Sequence, residues 1–588
     1  MKILQSSRMS TILLLGVALV LSVGVVCAHD DQRYDKQEAM PLFVDNVIPE
    51  DNPSESYRYY ALAFCKPEDE KHKVQTLGEV LGGSRKIYSN YDIRYDVDVQ
   101  RETLCTKKLT ATEITEFRYA VAHQYHYTMY LDEIQLRGYV GTQDTKSGDL
   151  YLYTTLHFKI SKNRDRVIEA HVTPEESTKV LLKDGDTSLD VSFAYTVKWT
   201  DTEVTFEDRT ANNEAEHDEG EVEIQWFSIV NSFVLVVLLT AFLVYIVLRI
   251  LNKDYQRYSI LEEEADVEET GWKRLHADVF RFPPMKALFA SIVGCGTQVM
   301  LIFVCMLTLA VVGVFYPHGR GTMYATVIVV YALTAVIAGY VSGSLYKKME
   351  GKDWVHNVLL TVTLVTGPAF MIWAYLNTVA IAYGSTAALP FGTIVGLFAL
   401  YFLVTFPLTL AGALAGKHYT SDFDAPTRTK FAAREIPTAP WYRGSLAHVL
   451  VAGFLPFTAI YIELYYVFIS IWGHRNFAPF GILYLVFIIL IVVTACITIA
   501  LTYVQLSHEN HRWWWLSVIS GGATSFFVYL YSMYFLVNES HMTGLLQLSF
   551  YFGYMGLLCY GLFLMLGAVG FFASMIFVRQ IYRSIKCD

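Results

Sequence analysis

The chain has 588 residues, of which 53% are hydrophobic and 17% charged, and its mean hydropathy is +0.32. In an ordinary soluble protein about a quarter of the residues are charged, so this composition requires that part of the chain lies in lipid. The net charge of −10 argues against nucleic acid as a partner, because binding it needs concentrated positive charge.

Residues 1–28 have the pattern of a secretory signal peptide. Lys2 and Arg8 precede an apolar run from Thr11 to Val26, and Cys27 and Ala28 follow at the expected cleavage site. An uncleaved anchor helix is the alternative, although the run is shorter than the ~20 residues of a membrane span. We therefore expect the next part of the chain to face the lumen of the secretory pathway.

Residues 29–225 are predicted to form a luminal β-rich domain, most simply a β-sandwich. Segments such as Leu150–Ile160 and Val191–Trp199 alternate apolar and polar residues, as half-buried strands do. Cys65 and Cys105 are the only cysteines of this domain, and the lumen is oxidising. We expect a disulfide between them that stabilises the domain by roughly 3–4 kcal/mol, with two free thiols as the alternative.

Nine apolar stretches follow and predict a helical membrane domain over residues 226–577. Each is long enough to cross ~30 Å of hydrocarbon. Backbone polar groups in lipid must pair within the segment, so we expect helices. The predicted spans are about 227–250, 287–314, 324–345, 357–382, 388–415, 446–472, 479–504, 515–536 and 546–577.

Basic residues concentrate on one side of these spans. The loops 251–286, 346–356, 417–445 and 505–514 and the tail 578–588 contain 18 Lys and Arg residues, whereas the opposite short loops contain Arg320 and Arg475. This asymmetry predicts a luminal N-terminus and a cytosolic C-terminus. Beside one cytosolic loop, Trp513–Trp515 is expected to form an aromatic belt in the headgroup layer.

Several short motifs point to a known family. They are Leu77–Leu81, Glu223–Ser232, Gly271–Arg281, Gly339–Ser342, Arg434–Pro437 with Trp441 and Tyr442, Leu455–Phe457 with Tyr461–Leu464, and the terminal Phe577–Asp588. In content and order they resemble those of the nonaspanins, the transmembrane-9 superfamily, with small departures at Ala277 and Phe282. The resemblance implies a multi-pass Golgi and endosomal protein that helps other membrane proteins, notably those with glycine-rich spans, to reach their destination.

The resemblance also implies a sorting signal at the C-terminus. Lys586 and Asp588 are similar to the Lys-x-acid signal that the coat complex of retrograde Golgi vesicles reads in this family. An ordinary basic stop-transfer tail is the alternative. The implied partners are thus membrane lipid, transmembrane cargo proteins and this coat complex.

Few polar side chains fall inside the predicted spans. Glu463 is the one acid well within a span, where burying a charge costs at least ~2.5–3.5 kcal/mol. It is therefore a proton or cation site, a polar contact for cargo helices, or a hydrogen-bonding partner of a neighbouring span. Gln298 and Asn377 are amides that we expect to bridge helices.

Two pairs of glycines lie in the fifth span. Gly392 and Gly396 form one pair and Gly412 and Gly416 the other, each with the spacing that lets two helices approach closely. We expect both pairs to pack within the bundle. A groove that accepts glycine-rich cargo helices is the alternative.

No catalytic motif, cofactor site or metal site is predicted, and we expect the protein not to be an enzyme. His123 and His126 could reach one metal ion, but ordinary domain histidines are the simpler interpretation. Asn538 begins a glycosylation sequon that we expect to lie too close to the membrane for modification.

Two other functions compete with sorting. A proton- or cation-linked transporter or channel would use Glu463, but a single buried acid and the lack of a convincing inverted repeat favour the sorting function. A surface receptor is the third possibility, and the retrieval-like tail argues against it.

Overall fold

The computed structural model describes residues 32–206, 209, 226–263, 271–315, 321–427, 429–430, 434–437, 440–441, 444–472 and 480–583. The predicted signal peptide (1–28) and the sorting signal at Lys586 and Asp588 lie outside the described residues. Within them, a β-rich domain at the N-terminus precedes a bundle of long helices. The predicted fold class is therefore confirmed.

The β-rich domain contains three sheets. One has the order β2-β1-β5-β6, with β3 also pairing with β1, and the others have the orders β10-β9-β12-β4 and β11-β8-β7. The β9–β12 pairing is parallel, and the other described pairings are antiparallel. The strands are β1 (Ala39–Ile48), β2 (Tyr57–Arg58), β3 (Ile87–Arg94), β4 (Val99–Thr110), β5 (His126–Leu131), β6 (Ile134–Tyr139), β7 (Gly141–Gln143), β8 (Leu150–Leu152), β9 (Thr155–Asn163), β10 (Arg166–Pro174), β11 (Val180–Leu181) and β12 (Ser188–Asp201).

The two larger sheets share one apolar core. In β12, residues 191, 193, 195, 197 and 199 are all buried, because alternate side chains of a strand point to the same face. A short helix α1 (Leu77–Leu81) and a longer helix α2 (Ala111–Ala122) complete the domain. Helix α2 begins with a capping box between Thr110 and Glu113 and buries Phe117 in the same core.

The membrane domain consists of helices that run back and forth between two ends. They are α3 (Trp226–Glu263), α4 (Lys286–Val312), α5 (Thr322–Lys348), α6 (Trp354–Ala382), α7 (Phe391–Leu400), a π-helical turn (Tyr401–Thr405), α8 (Phe406–Tyr419), α9 (Ser445–Ala459), α10 (Tyr461–Trp472), α11 (Phe480–Ser507), α12 (Trp513–Gly522), α13 (Thr524–Asn538) and α14 (Leu545–Arg583). Helix α14 continues past the predicted end of the last span, into the segment predicted as tail.

Counting only the described residues, eight helical segments are long and apolar enough to cross a membrane. Helices α9 and α10 meet at a bend of 69°, and the pair gives a ninth span if both halves belong to one crossing. The sequence predicted a continuous helix over 446–472, so the break is a correction. Pro456 lies inside α9 and has no N–H to donate, which weakens the helix just before the break at Ile460.

The environment of the tryptophan cluster also differs from the prediction of a headgroup belt. Trp513 and Trp514 are 0% and 2% exposed, so they lie in the protein core instead of a headgroup belt. The Trp513 indole N–H donates to the carbonyl of Val279 at 2.8 Å, and its ring lies among those of Trp514 and Phe571. The Trp513 indole can be buried because its one polar group has a partner, whereas Trp514 Nε1 is buried with no hydrogen-bond partner in the described structure.

Candidate functional site

The β-rich domain docks on one end of the helical bundle through hydrogen bonds. Thr386 N–H and the Ser385 hydroxyl both donate to the Ser56 carbonyl at 2.9 Å. The Arg85 guanidinium donates to the Ala388 carbonyl at 2.7 Å. Because these partners lie in the loop between α6 and α7, the domain fixes that loop and the start of α7.

Helix α1 brings two glycines into direct backbone contact. A Cβ atom on Gly78 would lie 1.7 Å from the carbonyl oxygen of Gly321, which directly precedes α5. Only glycine permits so close an approach of two backbones. Nearby, Thr543 N–H donates to the Asn52 side chain at 3.0 Å. The family-like motif Leu77–Leu81 is therefore a docking contact between the domain and the third span.

A disulfide joins Cys65 to Cys105 within the β-rich domain, with a Cα–Cα distance of 6.0 Å. The two cysteines are 40 residues apart in sequence. The loop-entropy relation gives about 4 kcal/mol for a crosslink of that length. The bridge stabilises the domain that holds the docking surface.

The second glycine pair of the fifth span packs inside the protein. A Cβ on Gly412 would lie 2.0 Å from the Val336 carbonyl oxygen, and one on Gly416 would lie 2.5 Å from the Tyr340 carbonyl oxygen. Across the contact, a Cβ on Gly339 of α5 would meet the Thr409 carbonyl oxygen at 2.0 Å. Glycines on both helices thus let α5 and α8 approach at backbone distance.

The first glycine pair has the opposite environment. No atom lies within 4 Å of a Cβ built on Gly392 or Gly396. Both glycines belong to α7, and no residue of α7 is buried in the described structure. The prediction that this pair packs within the bundle is therefore wrong.

The π-helical turn separates these two halves of the span. Its first residue, Tyr401, makes a hydroxyl contact of 3.2 Å with the Thr366 hydroxyl of α6. A π turn inserts one extra residue and changes which face of a helix meets its neighbours. The packed half, α8, lies at the end away from the β-rich domain, and the open half, α7, lies next to it.

One face of α7 consists of small residues. Gly392, Val395, Gly396 and Ala399 follow helical spacing and are all exposed, and we call this set the α7 face. Aromatic rings flank it, with Phe391 80% exposed and Phe398 in edge contact with Phe370 of α6 at 5.4 Å between ring centroids. The α7 face is a flat surface on which the backbone of another helix could lie.

Glu463 lies at the break of the sixth span. It is in the first turn of α10, three residues after Ile460, and is 1% exposed. A buried acid beside a helix discontinuity is an arrangement that transporters use for ions. No group of three or more His, Cys, Asp or Glu residues suited to a metal occurs in the described part of the chain.

Gln298 and Asn377 each make a local bridge. The Gln298 amide donates from α4 to the Tyr331 carbonyl of α5 at 3.0 Å. The Asn377 side-chain oxygen accepts from Leu389 N–H at 2.8 Å, which ties α6 to the loop before α7. The two amides have separate partners and do not join Glu463 in one site.

The membrane domain contains a buried polar network that the sequence did not predict. The Asn357 amide donates to the Ser342 hydroxyl at 3.0 Å, and the Thr361 hydroxyl lies 2.8 Å from Ser342 and 3.0 Å from Ser291. These residues join α4, α5 and α6, as polar groups do between membrane helices. Ser and Thr occur throughout the spans, so only the three-dimensional arrangement identifies this set.

The remaining candidate residues are His123, His126 and Asn538. His123 is exposed and its Nδ1 contacts the Tyr119 carbonyl at 2.9 Å, whereas His126 is buried with its Nδ1 3.4 Å from a Glu50 carboxylate oxygen. Burial lowers the pKa of His126 below its ordinary value of 6.5. Asn538 ends α13, and its amide donates to the Tyr534 carbonyl at 3.1 Å.

Comparisons with known proteins cover nearly the whole chain. A family model described as endomembrane protein 70 matches residues 56–545. Transmembrane 9 superfamily member 4 of Arabidopsis thaliana is 47% identical, with 98% of this chain and 97% of the relative aligned. Transmembrane 9 superfamily member 1 of Bos taurus is 41% identical, with 95% of this chain and 94% of the relative aligned. A Dictyostelium discoideum protein named as phagocytic receptor 1b is 43% identical, with 97% of this chain and 98% of the relative aligned. No solved structure matches.

Proposed function

The chain belongs to the transmembrane 9 superfamily, and we propose that it is a Golgi and endosomal protein that binds transmembrane segments of other membrane proteins and assists their sorting. In this proposal the β-rich domain is luminal and the C-terminus is cytosolic. The cargo class is membrane proteins with glycine-rich spans. The proposal assigns no catalytic step to the chain.

The open α7 face is the observation that carries the proposal. Membrane helices associate through van der Waals contact, which is strongest where small residues let two backbones approach. The packed α5–α8 contact shows how this chain itself uses glycine pairs, and the α7 face presents the same spacing to lipid. A glycine-rich cargo helix would fit closely against it, whereas leucine side chains would hold a cargo helix away.

The test replaces the small residues of the α7 face. Gly392→Leu with Gly396→Leu is expected to reduce recovery of a reporter that has a glycine-rich span by at least about 10-fold, the equivalent of ~1.4 kcal/mol. The readout is co-purification of the full-length protein with that reporter from cells. A reporter whose span is all leucine measures non-specific recovery.

A matched control keeps the number of substitutions the same. Gly481 and Gly556 also have no atom within 4 Å of a built Cβ, but they lie on α11 and α14. Gly481→Leu with Gly556→Leu should leave reporter recovery unchanged. If the α7 variant is stable and recovers the glycine-rich reporter as well as the native chain does, the α7 face is not the cargo site.

The proposed route of recycling is tested separately. With a tag kept off the C-terminus, Lys586→Ala plus Asp588→Ala should move the protein from the Golgi to the surface or lysosome. Unchanged Golgi residence in fluorescence microscopy would refute coat binding by the tail. It would leave the cargo proposal intact, because the α7 face is a different part of the chain.

A second candidate function rests on Glu463. Its burial at the break of the sixth span favours a proton- or cation-linked transporter. Transport by the purified chain in liposomes should then collapse in Glu463→Gln, which keeps the side-chain shape but removes the charge. If the native chain dissipates neither a proton nor a sodium gradient faster than empty liposomes do, this candidate fails.

A further inference from the structure

A cavity of about 280 Å³ lies at the end of the bundle opposite the β-rich domain. The last turns of α5 and α8, the first turn of α6 and the loop between α5 and α6 form its walls. The lining includes Tyr346, Lys347, Lys352, Trp354, Asn357 and Lys417. Its volume is near the lower limit of small-molecule binding sites, so it suits one compact chemical group of a ligand.

Three lysines in this cavity have no acid to balance them. Lys347 donates to the Thr420 carbonyl at 2.5 Å, and the Lys417 ammonium lies 4.7 Å from the centre of the Trp354 ring. In the part of the chain that the structure describes, none of the three lysines forms an ion pair with a carboxylate. Glu350 and Asp353, the acids of the adjoining loop, are exposed and do not line the cavity. Gathering like charges is unfavourable, so the cluster favours an anion.

The start of α6 adds positive potential to this cavity, whereas the last turns of α5 and α8, which also form its walls, add negative potential. Trp354 is the first residue of this 29-residue helix, and Asp353 before it makes no side-chain cap in the described structure. The first backbone N–H groups of a helix carry partial positive charge and bind phosphate readily. They would add to the attraction that the three lysines exert on an anion.

The floor of the cavity is preorganised. The Tyr346 ring lies against Gly351, where a built Cβ would be 2.2 Å from the ring, and Asp353 N–H donates to the Tyr346 hydroxyl at 3.1 Å. Asn357 is held by Ser342 in the buried polar network. A ligand would therefore enter a shaped site without first ordering it, which favours binding.

We propose that this cavity binds the phosphorylated headgroup of an anionic phospholipid that carries a phosphomonoester. A headgroup phosphodiester contributes one negative charge and a phosphomonoester about −1.5 to −2, which three lysines can neutralise. The cavity lies at the ends of three membrane helices, beside an indole, where headgroups are found. Basic pockets between helices on the cytosolic side are a known form of such sites, and the predicted topology places this cavity on that side.

The test measures lipid binding by the full-length protein in detergent. The native chain should gain thermal stability with a short-chain phosphatidylinositol monophosphate. It should gain much less with short-chain phosphatidylserine and little with inorganic phosphate. Lys347→Gln with Lys352→Gln and Lys417→Gln should weaken the apparent affinity at least about 10-fold, as the loss of several charge-assisted contacts implies.

The control removes three other cations on the same membrane side. Arg249→Gln, Lys253→Gln and Arg257→Gln change exposed residues of α3 and should leave the affinity unchanged. If the triple lysine variant does not fold, Lys352→Glu, at an exposed position, should give the same loss. Equal stabilisation by inorganic phosphate, or a lysine variant that binds as the native chain does, would overturn the proposal.

Discussion

At the scale of single residues, four glycines of one span have two different roles. Gly412 and Gly416 contact the backbone of α5. A Cβ built on Gly392 or Gly396, in contrast, would meet no atom of another part of the protein within 4 Å. Their sequence spacing is identical, so the difference comes from what lies opposite each pair. The π turn between them changes the face that the helix presents.

This difference predicts that a glycine-to-leucine substitution has a large effect on stability in one pair and almost none in the other. Gly412→Leu should lower the stability of the purified protein by ~3 kcal/mol or more, because overpacking at backbone distance forces the helices apart. Gly396→Leu should change it by less than ~0.5 kcal/mol, as exposed substitutions do. Thermal unfolding of both variants in the same detergent measures the contrast. Equal stability of the two variants would contradict the packing described.

His126 predicts a pH dependence of the β-rich domain. Burial lowers its pKa, so the folded domain keeps His126 neutral at pH values where the unfolded chain binds a proton. Stability is therefore lost as the pH falls through about 6.5, the ordinary histidine pKa, toward the lower pKa of the folded state. Glu50 and Arg137, which contact the ring, oppose each other's effect.

The measurement compares the native chain with His126→Gln. Unfolding temperatures at about pH 7.5 and about pH 5.5 should differ more for the native chain than for the variant, because glutamine does not titrate in this range. His123→Gln is the matched control, since His123 is exposed on the domain surface. If His126→Gln shows the same loss as the native chain, His126 is not the group responsible.

The need of a buried polar group for a partner could be predicted from the sequence, but the identity of a distant partner could not. The cost of an unpaired amide in lipid predicts that Gln298 and Asn377 have partners. Gln298 bridges two helices as expected, whereas Asn377 accepts from Leu389 N–H in a loop and does not bridge helices. The burial of Trp513 could not be foreseen, because its partner carbonyl at Val279 lies far away in sequence. The three-lysine cavity is non-local only in part, because Lys347 and Lys352 are close in sequence and Lys417 comes from the distant helix α8.

At the scale of secondary structure elements, helix α1 is small but determines how the two domains meet. Gly78→Val should separate α1 from the start of α5, because any side chain there would collide with the Gly321 backbone. Hydrogen exchange of residues 77–81 should then become faster, while the membrane helices keep their protection. Gly82→Val is the milder comparison, since the nearest atom to a Cβ there would be in the Tyr324 ring, at 3.4 Å. Unchanged exchange in Gly78→Val would show that α1 does not anchor the domain.

The length of the apolar runs predicted the spans but not the breaks within them. Apolar runs of 20 or so residues predict a helix whether or not it bends, so the 69° break after Ala459 and the π turn at Tyr401–Thr405 could not be read from hydropathy. Pro456 was the one local signal for the first break. For the π turn the local signal was Pro407, in the first turn of α8, because it has no N–H to donate to a carbonyl of the preceding turn.

At the scale of the whole molecule, the docked β-rich domain lies next to the open half of the fifth span. It fixes the loop that leads into α7 through Ser56 and Arg85, while α8 anchors the other half against α5. The α7 face is thus held between two fixed points, yet its residues remain exposed. Under the proposed function, this arrangement would give a cargo helix access to the α7 face and would bring one end of that helix near the β-rich domain.

The most direct test of cargo binding is site-specific photo-crosslinking in cells. A photoreactive residue placed at Val395, on the α7 face, should crosslink to a reporter with a glycine-rich span and not to one with an all-leucine span. The same residue at Ile576, which is 70% exposed on α14, should crosslink to neither reporter. Crosslinks from Ile576 that equal those from Val395, or none from Val395 with a reporter that is correctly sorted, would contradict the assignment of the α7 face as the cargo site.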